Sequence, residues 1–171
     1  MKTAGILGGL GYESTIEYYK SILGRVYEAR GSYPNLFINS VDIKTMLGFL
    51  ERADHKGLAA FLAAGINALA RGGCALAAIA SNTPHVVIDE VRARAEIPVL
   101  SIIDCTVEAI LRSGCARVGV LGTMFTLTGG LYSTPLERNG VEAIVPDEAD
   151  AAYMNEKIFN ELEFGVVNGE T

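Results

Sequence analysis

The sequence is poor in the residues that build metal centres and disulfide frameworks. It has only three cysteines and two histidines among 171 residues. Cys74, Cys105 and Cys115 form no C-x-x-C pair, so neither a disulfide framework nor a zinc cluster is indicated. His55 and His85 do not form the H-x-x-x-H spacing of a helical metal site. The sequence therefore predicts no bound metal.

Positive charge and long apolar runs are also scarce. Fourteen Lys and Arg residues against 20 Asp and Glu residues give a net charge of -6, whereas binding to nucleic acid or to an anionic membrane surface needs a basic face. No apolar run approaches the roughly 20 residues of a membrane span, and residues 1–6 lead into a predicted strand without a secretory signal pattern. We expect a cytoplasmic protein with a small-molecule substrate, bound to neither nucleic acid nor membrane.

Apolar residues are abundant and periodic. They make up half of the chain, and short apolar runs alternate with helical patterns, which is typical of an α/β fold with a parallel sheet covered by helices. The predicted strands are 3–7, 36–41, 75–80, 98–101, 117–121 and 141–145. The predicted helices are 13–29, 55–71, 84–94, 104–113, 130–138 and 149–163. The glycines placed to end four of these helices are Gly31, Gly73, Gly114 and Gly140.

The first strand has an echo later in the chain. Residues 4–8 (AGILG) match residues 118–122 (VGVLG), either by chance or because the chain is a tandem duplication. Under duplication, the fold is two pseudo-symmetric parallel-sheet lobes, a first over 1–98 and a second over 99–171. The counterpart of Ser81 would then fall beyond Thr171, so we expect the second lobe to lack its last strand and helix.

Small polar side chains follow the predicted strand 75–80. Ser81, Asn82 and Thr83 stand between this strand and a helix that Pro84 can open and Thr83 can cap. In open α/β sheets, ligands bind at the carboxyl ends of the strands, beside helix N-termini that attract anions. The sequence therefore predicts a ligand site around Ser81.

Two further loops end strands in the same way. Gly8 and Gly9 lie in a glycine-rich loop without the further glycine of a dinucleotide fingerprint or the Lys-Ser/Thr of a P-loop. The loop can cup a carboxylate through its N–H groups, aided by the Ser14 and Thr15 hydroxyls, or be only a tight turn. Thr123 and Thr126 occupy the matching place in the second part. Thr83 and Thr126 have helix capping as their alternative role, and the loops could face each other across a cleft.

A hydrolytic triad is another interpretation of the segment that follows the strand 75–80. Ser81, His85 and Asp89 recur at intervals of four residues, which would align them on one helical face. The glycines of a G-x-S-x-G nucleophile elbow are absent around Ser81, however, and Ser81 precedes the predicted helix. We interpret His85 instead as a structural or substrate-facing donor.

Several motifs occur in a characteristic order along the chain. They are Gly5-Ile6-Leu7-Gly8-Gly9 with Glu13-Ser14-Thr15, Ser40-Val41-Asp42, Asn82-Thr83-x-His85, Leu121-Gly122-Thr123 with Thr126, and the run 146–162. With these motifs the chain resembles the aspartate/glutamate racemase family over nearly its whole length. The resemblance implies two pseudo-symmetric α/β lobes with the active site between them, a homodimer and no cofactor. The residues it implies for binding the substrate are Gly8, Gly9, Asn82, Thr83, His85, Thr123 and Thr126.

The chemistry of the family needs one acid/base on each side of the substrate α-carbon, usually a cysteine. The first falls just before Asn-Thr, where this chain has Ser81, and a hydroxyl is a far poorer base than a thiol of pKa ~8.5. The second lies in a Gly-Cys-Thr-Glu motif that has no match here, since Cys105-Thr106 follows no glycine. A lysine that some members use for the distal carboxylate is Tyr153 here, which leaves the substrate side chain open.

Three functions follow from these observations. The leading one is an aspartate/glutamate racemase-like member of the amino-acid racemase family, with Ser81 at the acid/base position and impaired turnover in the 171-residue form. The second is a non-catalytic protein that binds an amino acid or a related carboxylate. The third is a single-thiol lyase or decarboxylase, which needs Cys105 or a thiol beyond residue 171 to reach the site.

Overall fold

The predicted α/β class with parallel sheets is confirmed. The computed structural model describes residues 2–169, and the chain forms two compact units that divide between Ser101 and Ile102. The division falls later than the predicted lobe boundary at 98/99, because the last strand of the first sheet, Val99–Leu100, pairs with the strand before it.

The first unit contains a four-stranded parallel sheet. Its strands are β1 (Ala4–Gly8), β2 (Leu36–Ser40), β3 (Leu76–Ile79) and β4 (Val99–Leu100), in the order β2-β1-β3-β4. Gly8 pairs with Ser40, and Leu7 pairs with Ile79. Because all pairings are parallel, the carboxyl ends of β1, β2 and β3 meet at one edge of the sheet.

Helices cover both faces of this sheet. They are α1 (Tyr12–Arg30), α2 (Ile43–Glu51), α3 (His55–Arg71), a 3₁₀ turn (Thr83–Val87) and α4 (Ile88–Arg92). A Cβ added to Gly65 of α3 would lie 2.5 Å from Leu7 Cδ1, and a Cβ added to Gly8 would lie 2.4 Å from Thr15 Cγ2 of α1. Since Leu7 and Gly8 are neighbours on a strand and point to opposite faces, α3 and α1 lie on opposite sides of the sheet.

The core of the first unit is built on α3. Its apolar side chains recur at helical spacing, and those that are fully or almost fully buried include Leu58, Leu62, Ile66 and Leu69. They pack in one cluster with strand residues such as Leu7 and Ile79. The helix begins where Asp54 accepts a hydrogen bond from the Gly57 N–H (2.8 Å), as a capping aspartate does. The predicted bounds 55–71 are confirmed.

In the first unit one helix was not predicted, and the prediction of another was wrong. Helix α2 was not predicted, although Asp42 caps it by accepting from the Lys44 and Thr45 N–H groups. The predicted helix 84–94 is instead a 3₁₀ turn followed by the short α4, because Val87 (φ −120°, ψ 26°) leaves the helical conformation. Thr83 is part of this turn, and the preceding residue is Asn82, so Thr83 is not the cap.

The second unit holds a two-stranded parallel sheet and four helices. Its strands are β5 (Arg117–Gly119) and β6 (Glu142–Ile144), and its helices are α5 (Ile102–Ser113), α6 (Met124–Thr128), α7 (Ser133–Arg138) and α8 (Glu148–Asn160), followed by a 3₁₀ turn (Leu162–Phe164). Helix α6 was not predicted. The buried core of the second unit consists of Ile103, Val107, Leu136 and Val141. No helix among residues 2–169 is long and apolar enough to cross a membrane.

The predicted helix-ending glycines are confirmed by their backbone angles. All four have positive φ, between +69° and +91°, in the left-handed region that glycine adopts without steric cost. They are Gly31, Gly73, Gly114 and Gly140.

The position of α3 in the core predicts the effect of a truncation. Leu62→Ala should lower the free energy of unfolding by about 2–5 kcal/mol, because it removes buried methyl groups and leaves a cavity. Leu111→Ala is the matched control, since Leu111 is 43% exposed on a helix and should change stability by less than about 0.5 kcal/mol. Urea unfolding followed by circular dichroism measures both. Equal losses would contradict the assignment of the core.

Candidate functional site

Three loops meet at the carboxyl edge of the first sheet. The pairing continues past the strands, since the Val41 N–H donates to the Gly8 carbonyl (2.9 Å) and the Ala80 N–H donates to the Leu7 carbonyl (2.9 Å). The glycine loop after β1 therefore lies between the loop after β2 and the loop that carries Ser81. The structure thus brings together two of the three predicted site segments, those of Gly8-Gly9 and of 81–85.

The glycine loop is tightly enclosed. Gly9 has φ +81°, and a Cβ at this position would lie 2.3 Å from the Val41 carbonyl oxygen, so no other residue fits without moving backbone. The Gly9 N–H donates to Thr15 Oγ1 (3.0 Å). The loop is thereby bound to the first turn of α1. The Gly9 N–H therefore already has an acceptor within the protein. The role of Gly8 and Gly9 in binding a carboxylate stays a prediction.

Ser14 connects α1 to the loop that carries Ser81. Its Oγ lies 2.7 Å from the Ala80 carbonyl oxygen and 2.8 Å from the Gly11 carbonyl oxygen, so one hydroxyl proton serves both acceptors. Ala80 directly precedes Ser81 in the chain. This hydroxyl, predicted to aid carboxylate binding, joins two loops of the site in the structure.

The segment from Ser81 to His85 forms a single turn. Ser81, Asn82 and Thr83 are partly exposed, whereas the His85 side chain is only 2% exposed. The Asn82 carbonyl accepts from the His85 N–H (2.9 Å) and lies 3.2 Å from His85 Nδ1. This geometry favours a structural role for His85 in holding the turn. Its predicted contact with substrate is not tested.

The second unit has a similar strand-to-helix loop. Thr123 caps α6, since its Oγ1 lies 3.4 Å from the Thr126 N–H nitrogen and 3.2 Å from Thr126 Oγ1. The predicted alternative of Thr126 as the cap is therefore wrong. Thr126 is 5% exposed, and a Cβ on Gly122 would lie 3.1 Å from its Cβ. A glycine in the loop between a strand and a helix thus packs against a threonine of that helix, as Gly8 packs against Thr15.

Asn155 of α8 holds this second loop in place. Its Oδ1 accepts a hydrogen bond from the N–H of Met124 (2.9 Å), and Met124 is the first residue of α6. The sequence analysis did not assign this role, because the two residues are 31 positions apart and no local pattern links them.

Two titratable groups of the first unit, Asp42 at the carboxyl edge of the sheet and Cys74 before the start of β3, have shifted pKa values. Hydrogen bonds from the Thr45 hydroxyl and from the Lys44 and Thr45 N–H groups lower the pKa of the exposed Asp42 carboxyl, so this group stays ionised as the cap of α2. Burial raises the pKa of the Cys74 thiol, which disfavours the reactive thiolate form. Among residues 2–169, no group of three or more His, Cys, Asp or Glu side chains could hold a metal ion.

Comparison with known proteins identifies relatives of this chain. The family model described as Asp/Glu/Hydantoin racemase matches residues 7–168. A broad specificity amino-acid racemase, RacX, from Bacillus subtilis is 28% identical over 149 residues, which is 84% of this chain. The match spans only 64% of the length of that relative.

Solved structures agree with the family match. A candidate Asp/Glu racemase from Yersinia pestis superposes with a TM-score of 0.87 at 32% identity and covers 99% of this chain and 75% of its own. An aspartate racemase homologue from Pyrococcus horikoshii OT3 superposes with a TM-score of 0.82 at 39% identity. The match covers 97% of this chain and 74% of the homologue. Both likenesses extend across the glycine loop and the turn that carries Ser81.

The contact of Ser14 predicts a local effect. Ser14→Ala should speed amide hydrogen exchange in residues 80–83 by about 2- to 10-fold, because one hydrogen bond of about 0.5–1.5 kcal/mol is lost. Ser21→Ala on the exposed face of the same helix is the control and should leave that exchange unchanged. A uniform change across the whole chain would instead indicate only global destabilisation and would contradict the tethering role.

The enclosure of Gly9 predicts a second effect. Gly73 also has positive φ (+91°) but has no atom within 4 Å of an added Cβ, so Gly73→Ala should cost only about 1–2 kcal/mol. Gly9→Ala should cost about 1–3 kcal/mol more, because Val41 backbone must move. Chemical unfolding of the two variants measures the difference. Equal losses would show that the loop has room for a side chain.

Proposed function

Because the chain belongs to the Asp/Glu/Hydantoin racemase family, we propose that it binds an amino acid or a related carboxylate at the carboxyl edge of its first sheet. The observation that carries this proposal is the hydrogen bond from Ser14 to the Ala80 carbonyl, which joins the glycine loop region to the turn with Ser81. The edge thereby presents partly exposed hydroxyl and amide side chains beside the start of α1, where the helix dipole favours an anionic group.

The proposed reaction is cofactor-independent proton transfer at the substrate α-carbon. One base removes the α-proton, the carbanion places its charge on the adjacent carboxylate, and an acid on the opposite side returns a proton to the other face. Backbone N–H groups and polar side chains around the carboxylate would stabilise this charge. Asn82 and Thr83 would supply such groups at the carboxyl edge of the first sheet.

Ser81 occupies the proposed acid/base position in the first unit. One feature of this site limits its chemistry: a hydroxyl is a much weaker acid and base than a thiol at neutral pH. We therefore propose that turnover is impaired in this 171-residue form. Gly8 and Gly9 would shape the loop, and His85 would hold the turn.

The second candidate function is binding without catalysis. Ser81 favours it, since a site that needs only hydrogen bonds to an amino acid has no need of a thiol. In either function the protein is proposed to be cytoplasmic and to act as a homodimer.

Isotope exchange separates the two functions. In deuterated water, the unsubstituted chain should exchange the α-proton of L- or D-aspartate and glutamate slowly or not at all. Ser81→Cys should raise the exchange by about 10²-fold, because a positioned general base contributes about 10²–10⁴-fold. Ser32→Cys adds a thiol at the far end of α1 and is the matched control, with no rise expected. Mass spectrometry of the recovered amino acid gives the readout.

Each other outcome changes a different part of the proposal. Brisk exchange by the unsubstituted chain would contradict the impaired turnover. Calorimetric binding without exchange, persisting in Ser81→Cys, would support a binding protein. Absence of both binding and exchange across amino acids and simple carboxylates would overturn the ligand class itself.

A further inference from the structure

Helix α1 carries an exposed apolar face next to the side that packs on the sheet. Its side chains recur at intervals of four, three, four and four residues and therefore lie along one side of the helix. Four of them are 39–48% exposed and the fifth, Leu23, is partly buried. They are Tyr12, Ile16, Tyr19, Leu23 and Tyr27. Among the 19 residues of α1, only Thr15 is fully buried.

We propose that this apolar face of α1 binds the same face of a second copy, with the two α1 helices antiparallel across a two-fold axis that passes between Tyr19 and Lys20. The proposal rests on the homodimer of the proposed function and specifies its surface. It does not depend on proton transfer at Ser81.

The order of residues along the face suits a two-fold axis. Tyr12 and Tyr27 lie at equal distances from the point between Tyr19 and Lys20, and so do Ile16 and Leu23. An antiparallel pair centred there places Tyr12 against the partner's Tyr27 and Ile16 against the partner's Leu23. The same patch then meets itself, as a two-fold interface requires.

Charge selects the antiparallel arrangement over the parallel one. Beside the apolar face, the first half of α1 carries Glu13, whereas the second half carries Lys20 and Arg30. A parallel pair would bring the acidic halves together. An antiparallel pair brings each acidic half beside the basic half of the partner and also opposes the two helix dipoles.

Neighbouring residues extend the apolar surface. The Tyr27 ring stacks on Tyr33, with centroids 4.7 Å apart, and Tyr33 is itself exposed. Ile38 is exposed on the edge strand β2. Phe37, its neighbour, contacts the α3 side at Gly72, so strand alternation places Ile38 on the α1 side. The apolar surface therefore extends from α1, a helix about 28 Å long, onto the edge strand β2.

A charged substitution at the axis tests the surface. Tyr19→Glu should weaken the dimer by about 100-fold or more, because the two-fold axis places both new carboxylates side by side and removes a central aromatic contact. Ser21→Glu adds the same charge on the opposite side of α1 and should leave the dimer unchanged. Sedimentation equilibrium over a range of concentrations measures the dissociation constants, and circular dichroism confirms that both variants fold.

Cross-linking tests the orientation without a destabilising charge. In a background with Cys105→Ser and Cys115→Ser, Tyr12→Cys together with Tyr27→Cys should yield a covalent dimer with a short bis-maleimide. Each single variant should not, because antiparallel packing separates identical positions near the helix ends. Cross-linking of the single variants would indicate parallel packing and overturn the proposed arrangement.

The remaining outcomes distinguish the surface from the function. If Tyr19→Glu leaves the dimer intact, the proposed α1 surface is wrong and the proposed homodimer still holds. A chain that is monomeric at all concentrations overturns both. Neither result changes the isotope exchange at the α-carbon, so failure of the surface and failure of the proposed reaction are separately visible.

Discussion

The close approach of the glycine loop to its neighbours is the constraint on which the candidate site depends. At Gly8 and Gly9 an added Cβ would meet Thr15 and Val41 at less than 2.5 Å, so the loop can lie against both α1 and the end of β2 only without side chains. The Gly9 N–H then reaches Thr15, and Ser14 on the same turn reaches Ala80. A bulkier loop would separate the edge into unconnected parts.

Helix α3 supplies the rigidity behind that edge. Its buried leucine and isoleucine side chains pack against β1 and β3, and the close contact of Leu7 with Gly65 leaves the strand little freedom to shift. The positions of β1 and β3 determine where the loops that follow these strands lie. Packing on one face of the sheet therefore positions the polar groups at its edge, while α1 on the other face carries Ser14 and Thr15.

The two faces of α1 connect the proposed site with the proposed dimer. One face holds Thr15 against the glycine loop, and the other carries the apolar series centred on Tyr19. Both belong to one helix, so self-association would restrict the motion of the turn that carries Ser14. The proposed carboxylate binding and the proposed pairing with a second copy both depend on shape and hydrogen bonds and do not need a thiol at the position of Ser81.

The sequence by itself determined the α/β class, the bounds of α3 and the helix-ending glycines, because apolar periodicity and glycine conformation are local properties. It did not reveal α2, despite a capping Asp42, or the break at Val87. Only the tertiary structure decided that Ser14 bonds to Ala80, 66 residues away, and that Asn155 holds Met124. Such contacts depend on which segments the packed sheet brings together, and no local pattern records that.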